Sequence, residues 1–214
     1  EHGTRTGECR IVDLDGDGKK EILVANRYGS VEINRADGKV LTGAYSELGD
    51  VEFDIGDLDG DGKVEVVNGS STGALRVTEF RGKVEWEFPN YGFAVCDVRV
   101  ADVDADANQE VVVASETGYV YVLDAAGRVK AQANLGEAQR TLAIGDVDAD
   151  GETEIVTGGD DRRLTVLSAA AQVERAQEMP DYVYRLWMAN LGPDARPVVV
   201  VGTKDGALTA FVSG

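Results

Sequence analysis

Histidine and cysteine are scarce in this chain of 214 residues, which contains one His and two Cys. The histidine, His2, stands near the end of the chain, where a general base is not expected, and one His cannot form a catalytic metal triad. The cysteines, Cys9 and Cys96, occupy equivalent places in two repeat units that are not expected to be neighbours. We therefore predict two free, buried thiols and no disulfide.

Positive charge is also in short supply. Lys and Arg number 21 against 39 Asp and Glu, which gives a formal net charge of −18. Nucleic-acid binding requires clustered basic residues, so the composition excludes a nucleic-acid partner. No apolar stretch approaches the roughly 18 residues of a membrane span. The four prolines are scattered and no linker is visible, which predicts a single domain over residues 1–214.

The acidic residues lie in a loop that recurs every 44 or 45 residues. Its pattern is Asp-x-Asp-x-Asp-Gly-x-x-Glu, followed by a short apolar run. The four copies with a full set of acidic residues contain Asp13, Asp15, Asp17 and Glu21; Asp57, Asp59, Asp61 and Glu65; Asp102, Asp104, Asp106 and Glu110; and Asp146, Asp148, Asp150 and Glu154. A fifth copy has decayed to Asn190, Gly192, Asp194, Arg196 and Val198. A fixed period in this range is typical of solenoids and propellers.

Each repeat unit has the pattern of four β-strands. The segment before the loop alternates polar and apolar residues, as around Phe53 and Ile55, which predicts a strand with one apolar face. The run after the loop is continuously apolar, as at residues 111–113, which predicts a strand covered on both faces. A third strand follows a first glycine, and a weaker fourth strand follows a second. Four strands joined by tight turns predict the blade of a β-propeller, an all-β fold.

The predicted fold is a propeller of about five four-stranded blades, with units at approximately residues 1–44, 45–88, 89–133, 134–177 and 178–214. An Ala- and Gln-rich stretch at residues 169–178 is compatible with a helix, although it occupies the register of a fourth strand. The fifth unit stops before its fourth strand. Either residues 1–6 supply that strand in a closed ring, or the five blades belong to a larger ring; we favour the closed ring because an open arc exposes two blade faces.

The acidic loops have the composition of a calcium site between the first and second strands of each blade. Three alternating carboxylates point inward, a glycine permits the turn, the seventh residue offers its backbone carbonyl and the ninth completes the shell. Six or seven oxygens suit Ca²⁺ better than Mg²⁺. The predicted carbonyl donors are Lys19, Lys63, Asn108 and Glu152. We predict about four sites, with alanine replacing some glycines in the third and fourth loops.

Two other interpretations fit the loop less well. An EF-hand is flanked by helices and has its bidentate Glu at position 12, whereas strands flank this loop and its Glu is the ninth residue. An ordinary turn needs one Asp or Gly, and crowding four carboxylates without a cation costs stability. The loops hold sixteen of the 39 acidic residues, so four divalent cations would change the formal charge from −18 to −10.

Residues 13–21 and 57–65 resemble the calcium loop of the FG-GAP/VCBS repeat family, whose blades form the propellers of integrin α-chains. The resemblance extends over all five units, with Glu as the last ligand where Asp is frequent in the family. It implies Ca²⁺ in a hairpin of each blade and an extracellular or cell-surface location.

No catalytic residue is assigned from the sequence, and a binding module is the predicted function. The polar residues at alternate positions of the first strands, among them Asp97 and Arg99, are expected to line a central channel. Aromatic residues suit a glycan or protein ligand, and inter-blade packing is their alternative role. The candidates are Tyr91, Tyr182 and Tyr184 near the blade entries, and Trp187 at one of the alternate polar positions of a first strand. We therefore predict a non-enzymatic adhesion or ligand-binding propeller. The alternatives are a carbohydrate-active enzyme or its accessory domain, and a structural subunit of a surface assembly.

Overall fold

The computed structural model describes residues 9–14, 16–25, 30–35, 37, 39–45, 51–79, 83–190 and 197–212. Over these ranges the chain forms 19 β-strands and no helix, and the strands build five antiparallel sheets. The predicted all-β propeller architecture is confirmed. None of the described segments forms a helix that is long and apolar enough to cross a membrane.

The sheets follow one another along the chain, and each is a simple meander of consecutive strands. The first contains β1 (Cys9–Val12), β2 (Glu21–Ala25), β3 (Ser30–Arg35) and β4 (Val40–Tyr45). The second contains β5 (Val51–Gly56), β6 (Glu65–Ser70), β7 (Ala74–Thr78) and β8 (Val84–Pro89). The third contains β9 (Val95–Ala101), β10 (Glu110–Ser115), β11 (Tyr119–Leu123) and β12 (Val129–Asn134). The fourth contains β13 (Gln139–Gly145), β14 (Glu154–Gly159), β15 (Arg163–Leu167) and β16 (Val173–Glu178), and the fifth contains β17 (Val183–Asn190), β18 (Pro197–Thr203) and β19 (Leu208–Val212).

This meander separates the connections of each sheet into two ends. The connections between first and second strands, and between third and fourth strands, lie at one end, which we call the loop end because it carries the acidic loops. The turns between second and third strands lie at the other end, together with the connections from one sheet to the next. We call this the entry end. Any metal bound in the acidic loops is therefore at the opposite end of the blade from the aromatic entry segments.

Burial follows the sequence pattern in the second, third and fourth sheets, whereas β2 alternates between buried and half-buried positions, so the prediction of a strand covered on both faces is wrong there. The second strands β6, β10 and β14 are buried at every position, as their continuous apolar runs predict. The outer strand β16 is exposed at all six positions, yet it is a strand that pairs with β15. The fourth-strand interpretation of residues 169–178 is thus confirmed over the helical alternative, because the free edge of β15 supplies backbone partners that outweigh a weak local helix propensity.

Among the described residues, the buried apolar side chains form four clusters, each of which joins two successive sheets. Leu23 and Phe53 belong to the cluster between the first and second sheets. The remaining clusters contain, in order, Val77 with Val98, Val112 with Leu142, and Val156 with Leu186. Each blade is therefore stabilised mainly by its immediate neighbours, as expected for repeat architectures.

The outward faces of the first and fifth sheets differ from these interfaces. Over the described ranges, no core cluster joins the fifth sheet to the first. Ile11 on β1 is 61% exposed, and on the fifth sheet Trp187 is 50% and Leu208 71% exposed. Residues 1–6, the predicted source of a fourth strand for the fifth sheet, lie outside the described residues. Ring closure therefore stays a prediction, with the larger ring as its alternative.

The cysteines are free, as predicted. The prediction that both are buried is wrong, since Cys9 is exposed and Cys96 only partly buried. Cys9 lies on β1, whose outward face has no partner sheet among the described residues. Cys96 lies beside Arg140, with 3.6 Å between its Sγ and Arg140 Nη1. Burial raises the pKa of the Cys96 thiol to about 11, which keeps it protonated at neutral pH.

The repeated glycine in the turn between second and third strands has a steric reason in the third sheet. Gly118 has φ +85°, and a Cβ there would lie 2.7 Å from the carbonyl carbon of Gly136 in the next connection. The corresponding residue of the fourth sheet is Arg162, which also has a positive φ, 57°. The turn thus requires the left-handed conformation in both sheets, and close approach of a second backbone segment adds to this requirement at Gly118.

Gly118→Ala is expected to destabilise the protein by about 2–4 kcal/mol, because the new Cβ collides with backbone atoms that cannot rotate away. The matched control is Gly136→Ala. Gly136 has φ +93°, but no atom lies within 4 Å of the position that its new Cβ would occupy, so it should cost only the left-handed backbone term of about 1–2 kcal/mol. Urea unfolding of both variants measures the difference, and equal losses would contradict the steric explanation.

Candidate metal centres

The second acidic loop shows how backbone groups organise the carboxylates. The N–H of Gly62 donates to Asp57 Oδ2 at 3.0 Å, and the N–H of Asp61 donates to Asp59 Oδ1 at 3.0 Å. Asp61 Oδ1 accepts the N–H of Lys63 at 2.8 Å. These hydrogen bonds bend the chain around a small space and hold the three Asp side chains on one side of it. The first loop repeats the bonds from Gly18 to Asp13 and from Lys19 to Asp17, each at 2.8 Å.

The ninth residue of the loop is anchored in the same way in all four copies. One oxygen of the Glu accepts the N–H of the residue that follows the first Asp, at 2.7–3.1 Å. These glutamates open the second strands and are almost fully buried: Glu21, Glu65, Glu110 and Glu154. Each therefore presents a fixed carboxylate at the base of its loop.

Carboxylate oxygens from three residues lie within 4.8 Å of one another in each of three loops. The groups are Asp57, Asp59 and Asp61; Asp102, Asp104 and Glu110; and Asp146, Asp148 and Glu154. Ligands at the usual calcium distance of about 2.4 Å are at most about 4.8 Å apart, so each group is compact enough to share one ion. The first loop includes Asp15, which lies outside the described residues.

Two carboxylate oxygens in these loops are buried without a hydrogen-bond partner, Asp13 Oδ1 and Asp57 Oδ1. A buried carboxylate oxygen without a donor is costly unless a cation compensates it. The loops offer oxygen donors and no sulfur or imidazole, which is the donor set of a hard cation such as Ca²⁺. The residues present therefore fit the predicted metal, although the backbone carbonyls assigned to Lys19, Lys63, Asn108 and Glu152 remain predictions.

The electrostatics of the loops agree with this fit. Burial raises the pKa of Glu65 to about 7, and the neighbouring Asp59, Glu85 and Asp57 charges add to the shift, while the hydrogen bond from Leu58 opposes it. Burial likewise raises the pKa of Glu154 above its ordinary value. In both loops the buried Glu is thus less favourable as a charged carboxylate than an exposed one, although Lys63 pairs with Asp61 and Arg175 lies 4.0 Å from Asp148.

The third loop differs in that a lysine from an outer strand contacts its buried Glu; the lysines of the first two loops, Lys19 and Lys63, pair with the exposed Asp17 and Asp61. Lys130 on β12 lies 2.7 Å from Asp104 Oδ2 and 2.8 Å from Glu110 Oε1, measured from its Nζ. The sequence pattern does not indicate this contact, because Lys130 stands 28 residues after Asp102 and has no counterpart of the same charge in the other complete units.

Alanine replaces glycine in the third and fourth loops without changing the turn. Ala105, Ala107 and Ala149 have φ of 59°, 70° and 63°, and the glycines of the first two loops have φ between 73° and 84°. The left-handed conformation is unfavourable for alanine by about 1–2 kcal/mol. Interactions within the loop or a bound ion must offset this cost.

The polar residues of the inner strands connect the blades. Asp54 on β5 accepts the Nε–H of Arg10 and the backbone N–H of Val100, both at 3.0 Å, and so links three sheets. Asp97 on β9 is fully buried; its Oδ2 accepts the N–H of Leu142 on β13 at 2.8 Å. The prediction that Asp97 lines an open channel is therefore wrong, because the adjacent strand β13 covers it and supplies a backbone donor.

The predicted aromatic residues do not share one environment. Tyr91 is 75% exposed in the connection from the second to the third sheet. Tyr182, in the connection from the fourth to the fifth sheet, lies below the cations of Arg162 and Lys204, at 5.1 and 4.9 Å from its ring centroid. Tyr184 and Trp187 are exposed on β17, Trp187 on the outward face of the fifth sheet. Tyr91, Tyr182 and Tyr184 are at the entry end, as predicted, and their ligand role remains a prediction.

The sheets and their repeated acidic hairpins define a β-propeller with FG-GAP repeats. A family model described as an FG-GAP-like repeat matches residues 13–68, which include the first two acidic loops. A second family model, described as the lambda-carrageenase beta-propeller domain, matches residues 65–194. Because that match covers more than half of the chain, the protein belongs to the λ-carrageenase β-propeller domain family.

Solved structures show the same fold at low sequence identity. The chain is similar to BBS1N in its complex with ARL6DN, with a TM-score of 0.73 and 14% identity, over 96% of this chain and 64% of that one. It is similar to Sqt1 of Saccharomyces cerevisiae, with a TM-score of 0.76 and 14% identity, over 96% of this chain and 58% of that one. The computationally designed Ika4 protein aligns over 70% of this chain and 86% of its own, with a TM-score of 0.56 and 21% identity. This chain thus spans less than two thirds of the BBS1N and Sqt1 chains. No curated protein sequence matches it.

Proposed function

We propose that this protein is a calcium-binding β-propeller that serves as a ligand-binding module, with the ions stabilising its blades. The observation that carries the proposal is Asp57 Oδ1, which is buried without a hydrogen-bond donor beside the carboxylates of Asp59 and Asp61. A divalent cation would compensate that oxygen and the charge around it. Removal of calcium tests the proposal, since it should lower the melting temperature of the protein.

The proposed role of calcium is structural. Each loop connects the first two strands of a blade, and its Glu anchors the start of the buried second strand. A bound ion would therefore hold the hairpin closed at the loop end. We assign these loops the weak affinity of extracellular calcium modules, with dissociation constants near ~10⁻⁴ M, at which they fill only at about millimolar calcium. The proposal accordingly places the protein outside the cell or on its surface.

The proposed ligand is a polysaccharide. The family description names a λ-carrageenase, an enzyme that acts on a polysaccharide, and the entry end of this chain carries exposed aromatic side chains. Tyr91 and Phe93 are 75% and 50% exposed in one entry segment, and Tyr184, at the start of β17, is 40% exposed. Exposed aromatic rings stack on the apolar faces of sugar rings while their polar atoms stay in water.

Substitution of the entry aromatics is expected to weaken polysaccharide binding without affecting the fold. Tyr91→Ala and Tyr184→Ala should each reduce affinity by roughly 5- to 10-fold, because each removes a stacking contact of about 1–1.5 kcal/mol. Affinity electrophoresis in gels that contain λ-carrageenan or starch measures the effect. The control is Val173→Ala, which removes a 55% exposed apolar side chain on the outer strand β16. Equal retardation of all three variants and the parent chain would contradict an aromatic binding site.

The second candidate function is a polysaccharide-degrading enzyme or its accessory domain, and the family description favours it. Residues 69–73 read Gly-Ser-Ser-Thr-Gly, which matches the Gly-x-Ser-x-Gly pattern of serine hydrolases. In this chain, however, the segment is the end of β6 and the turn to β7, not the strand-to-helix elbow that such enzymes use. Release of reducing ends from λ-carrageenan by the purified chain would establish this function, and binding without release would support the module.

A further inference from the structure

Lys130 is the extra residue of a β-bulge in the outer strand of the third sheet. In the pairing of β11 with β12, Val122 is opposite Ala131 and Leu123 is opposite Val129, which leaves Lys130 between them. A bulge turns the side chain of its extra residue away from the regular alternation of the strand. Here the side chain extends along the sheet toward the acidic loop between β9 and β10.

The ammonium group of Lys130 contacts three acidic residues of the third loop. Its Nζ lies 2.7 Å from Asp104 Oδ2, 2.8 Å from Glu110 Oε1 and 3.6 Å from Asp106 Oδ2. The Glu110 side chain is 1% exposed and the Lys130 side chain 32% exposed. The other Glu110 oxygen accepts the N–H of Val103 at 3.1 Å. Asp104 and Glu110 also belong to the compact carboxylate group of this loop.

The same bulge in the second and fourth sheets carries the opposite charge. In the second sheet Val77 is opposite Trp86 and Thr78 is opposite Val84, so the bulge residue is Glu85. In the fourth sheet Val166 is opposite Arg175 and Leu167 is opposite Val173, so it is Glu174. The bulge residue is therefore acidic in the second and fourth sheets and basic in the third. In the fourth sheet the next residue, Arg175, lies 4.0 Å from Asp148 Oδ2 and does not contact the buried Glu154.

We propose that Lys130 is a tethered counter-ion of the third loop, which stabilises this loop without metal and makes it the weakest calcium site of the protein. The proposal deepens the calcium function proposed above and rests on it for the calcium-affinity part only. The ammonium of Lys130 neutralises one charge and donates hydrogen bonds to two carboxylates that a calcium ion would need as ligands. Calcium can enter the third loop only by displacing this ammonium, so the apparent affinity falls by the free energy needed to break these ion pairs.

The displaced side chain has an open space to occupy. A groove of about 580 Å³ lies beside the loop, between the outer strand of the third sheet and the turn of the fourth, and Asp104, Lys130, Ala169 and Gln172 are among its lining residues. Lys130 can therefore leave the loop without disturbing the core. The lysine regulates the affinity of the third loop and does not block the loop permanently.

The test compares Lys130→Met with the parent chain. Methionine keeps the apolar stem and removes the ammonium, so the variant should melt at least about 3 °C lower in EDTA. In a calorimetric calcium titration it should bind one more calcium ion tightly than the parent chain, with an affinity for the third loop at least about 10-fold higher. Arg128→Met is the matched control, since Arg128 lies on the same hairpin and pairs with Asp124 at 2.7 Å, outside the acidic loop. It should leave the number of tightly bound calcium ions unchanged.

The outcomes separate this inference from the proposed calcium function. A loss of melting temperature in EDTA together with one additional tight site supports the inference. An unchanged calcium stoichiometry in Lys130→Met, when the parent chain does bind calcium, overturns the inference and leaves the calcium function intact. If neither chain binds calcium but Lys130→Met still melts lower than the parent, the calcium function is wrong and the counter-ion role is supported. An unchanged melting temperature in EDTA overturns the counter-ion role.

Discussion

Removal of calcium is expected to lower the melting temperature of the protein by roughly 8–16 °C. At about 1 mM calcium and a dissociation constant near ~10⁻⁴ M, each filled loop adds about 1.4 kcal/mol by mass action. The three loops that Lys130 does not reach then contribute about 4 kcal/mol, and each kcal/mol changes the melting temperature of a domain of this size by about 2–4 °C. Thermal unfolding followed by circular dichroism in calcium and in EDTA measures the change.

Asp57→Asn makes the prediction sharper, because its effect should reverse sign with calcium. With calcium present, the variant loses a charged ligand and should be about 1 kcal/mol less stable than the parent chain. In EDTA it should be more stable than the parent, since one negative charge is removed from the crowded group of Asp57, Asp59 and Asp61. Asp124→Asn, outside the acidic loops, should have the same effect in both buffers. A change of the same sign for Asp57→Asn in both conditions would contradict a metal in this loop.

Asp97→Ala is expected to destabilise the protein by about 3–5 kcal/mol, the largest effect of any single substitution considered. Asp97 is fully buried. Its carboxylate accepts the N–H of Leu142 on β13 at 2.8 Å and lies 2.7 Å from Arg99 Nη1. Alanine removes the acceptor for the Leu142 N–H in the next blade. It also leaves the largely buried guanidinium of Arg99 without the negative charge of Asp97. Urea unfolding at neutral pH measures the loss through the transition midpoint.

The equivalent position of the next blade supplies the comparison. Thr141 Oγ1 accepts the N–H of Leu186 at 3.1 Å, without an ion pair. Thr141→Val keeps the shape and removes this neutral acceptor, so it should cost only about 1–3 kcal/mol. A loss for Asp97→Ala that does not exceed the loss for Thr141→Val would show that the Asp97–Arg99 pair contributes little to the difference between blades.

The sequence predicted well what all blades share. The recurrence of Asp13, Asp57, Asp102 and Asp146 predicted the position of every acidic loop. The apolar run after the second, third and fourth loops marked a strand that is buried on both faces. The repeat register also assigned residues 173–178 to a strand against their local composition. These features could be predicted because the sequence of a single unit specifies each of them. Comparison of four copies also shows which residues recur and which are exceptions in one copy.

The features that were missed are contacts between elements that differ from blade to blade. Lys130 is the extra residue of a β-bulge, so its side chain does not follow the regular alternation of the strand and contacts Glu110. The sequence of the strand does not predict this contact. Asp97 is polar and has the parity of a channel residue, yet a neighbouring blade buries it. Cys9 is exposed because it lies on the outward face of the first sheet. Each outcome depends on the packing of one sheet against another, which a repeat pattern does not specify.

At three junctions, the hydrogen bonds that join a side chain of one first strand to the main chain of another have the same direction, with the acceptor in the preceding blade and the donor in the following one. The side chains of Asp54, Asp97 and Thr141 accept from the main chain of the following blade, at Val100, Leu142 and Leu186. A main-chain donor exists in any strand that lacks proline at that point, so the incoming blade needs no particular side chain. Gene rearrangements that duplicate or reorder single blades would therefore preserve this junction whenever the preceding blade keeps its acceptor. The same junction would therefore serve a propeller with more or fewer blades.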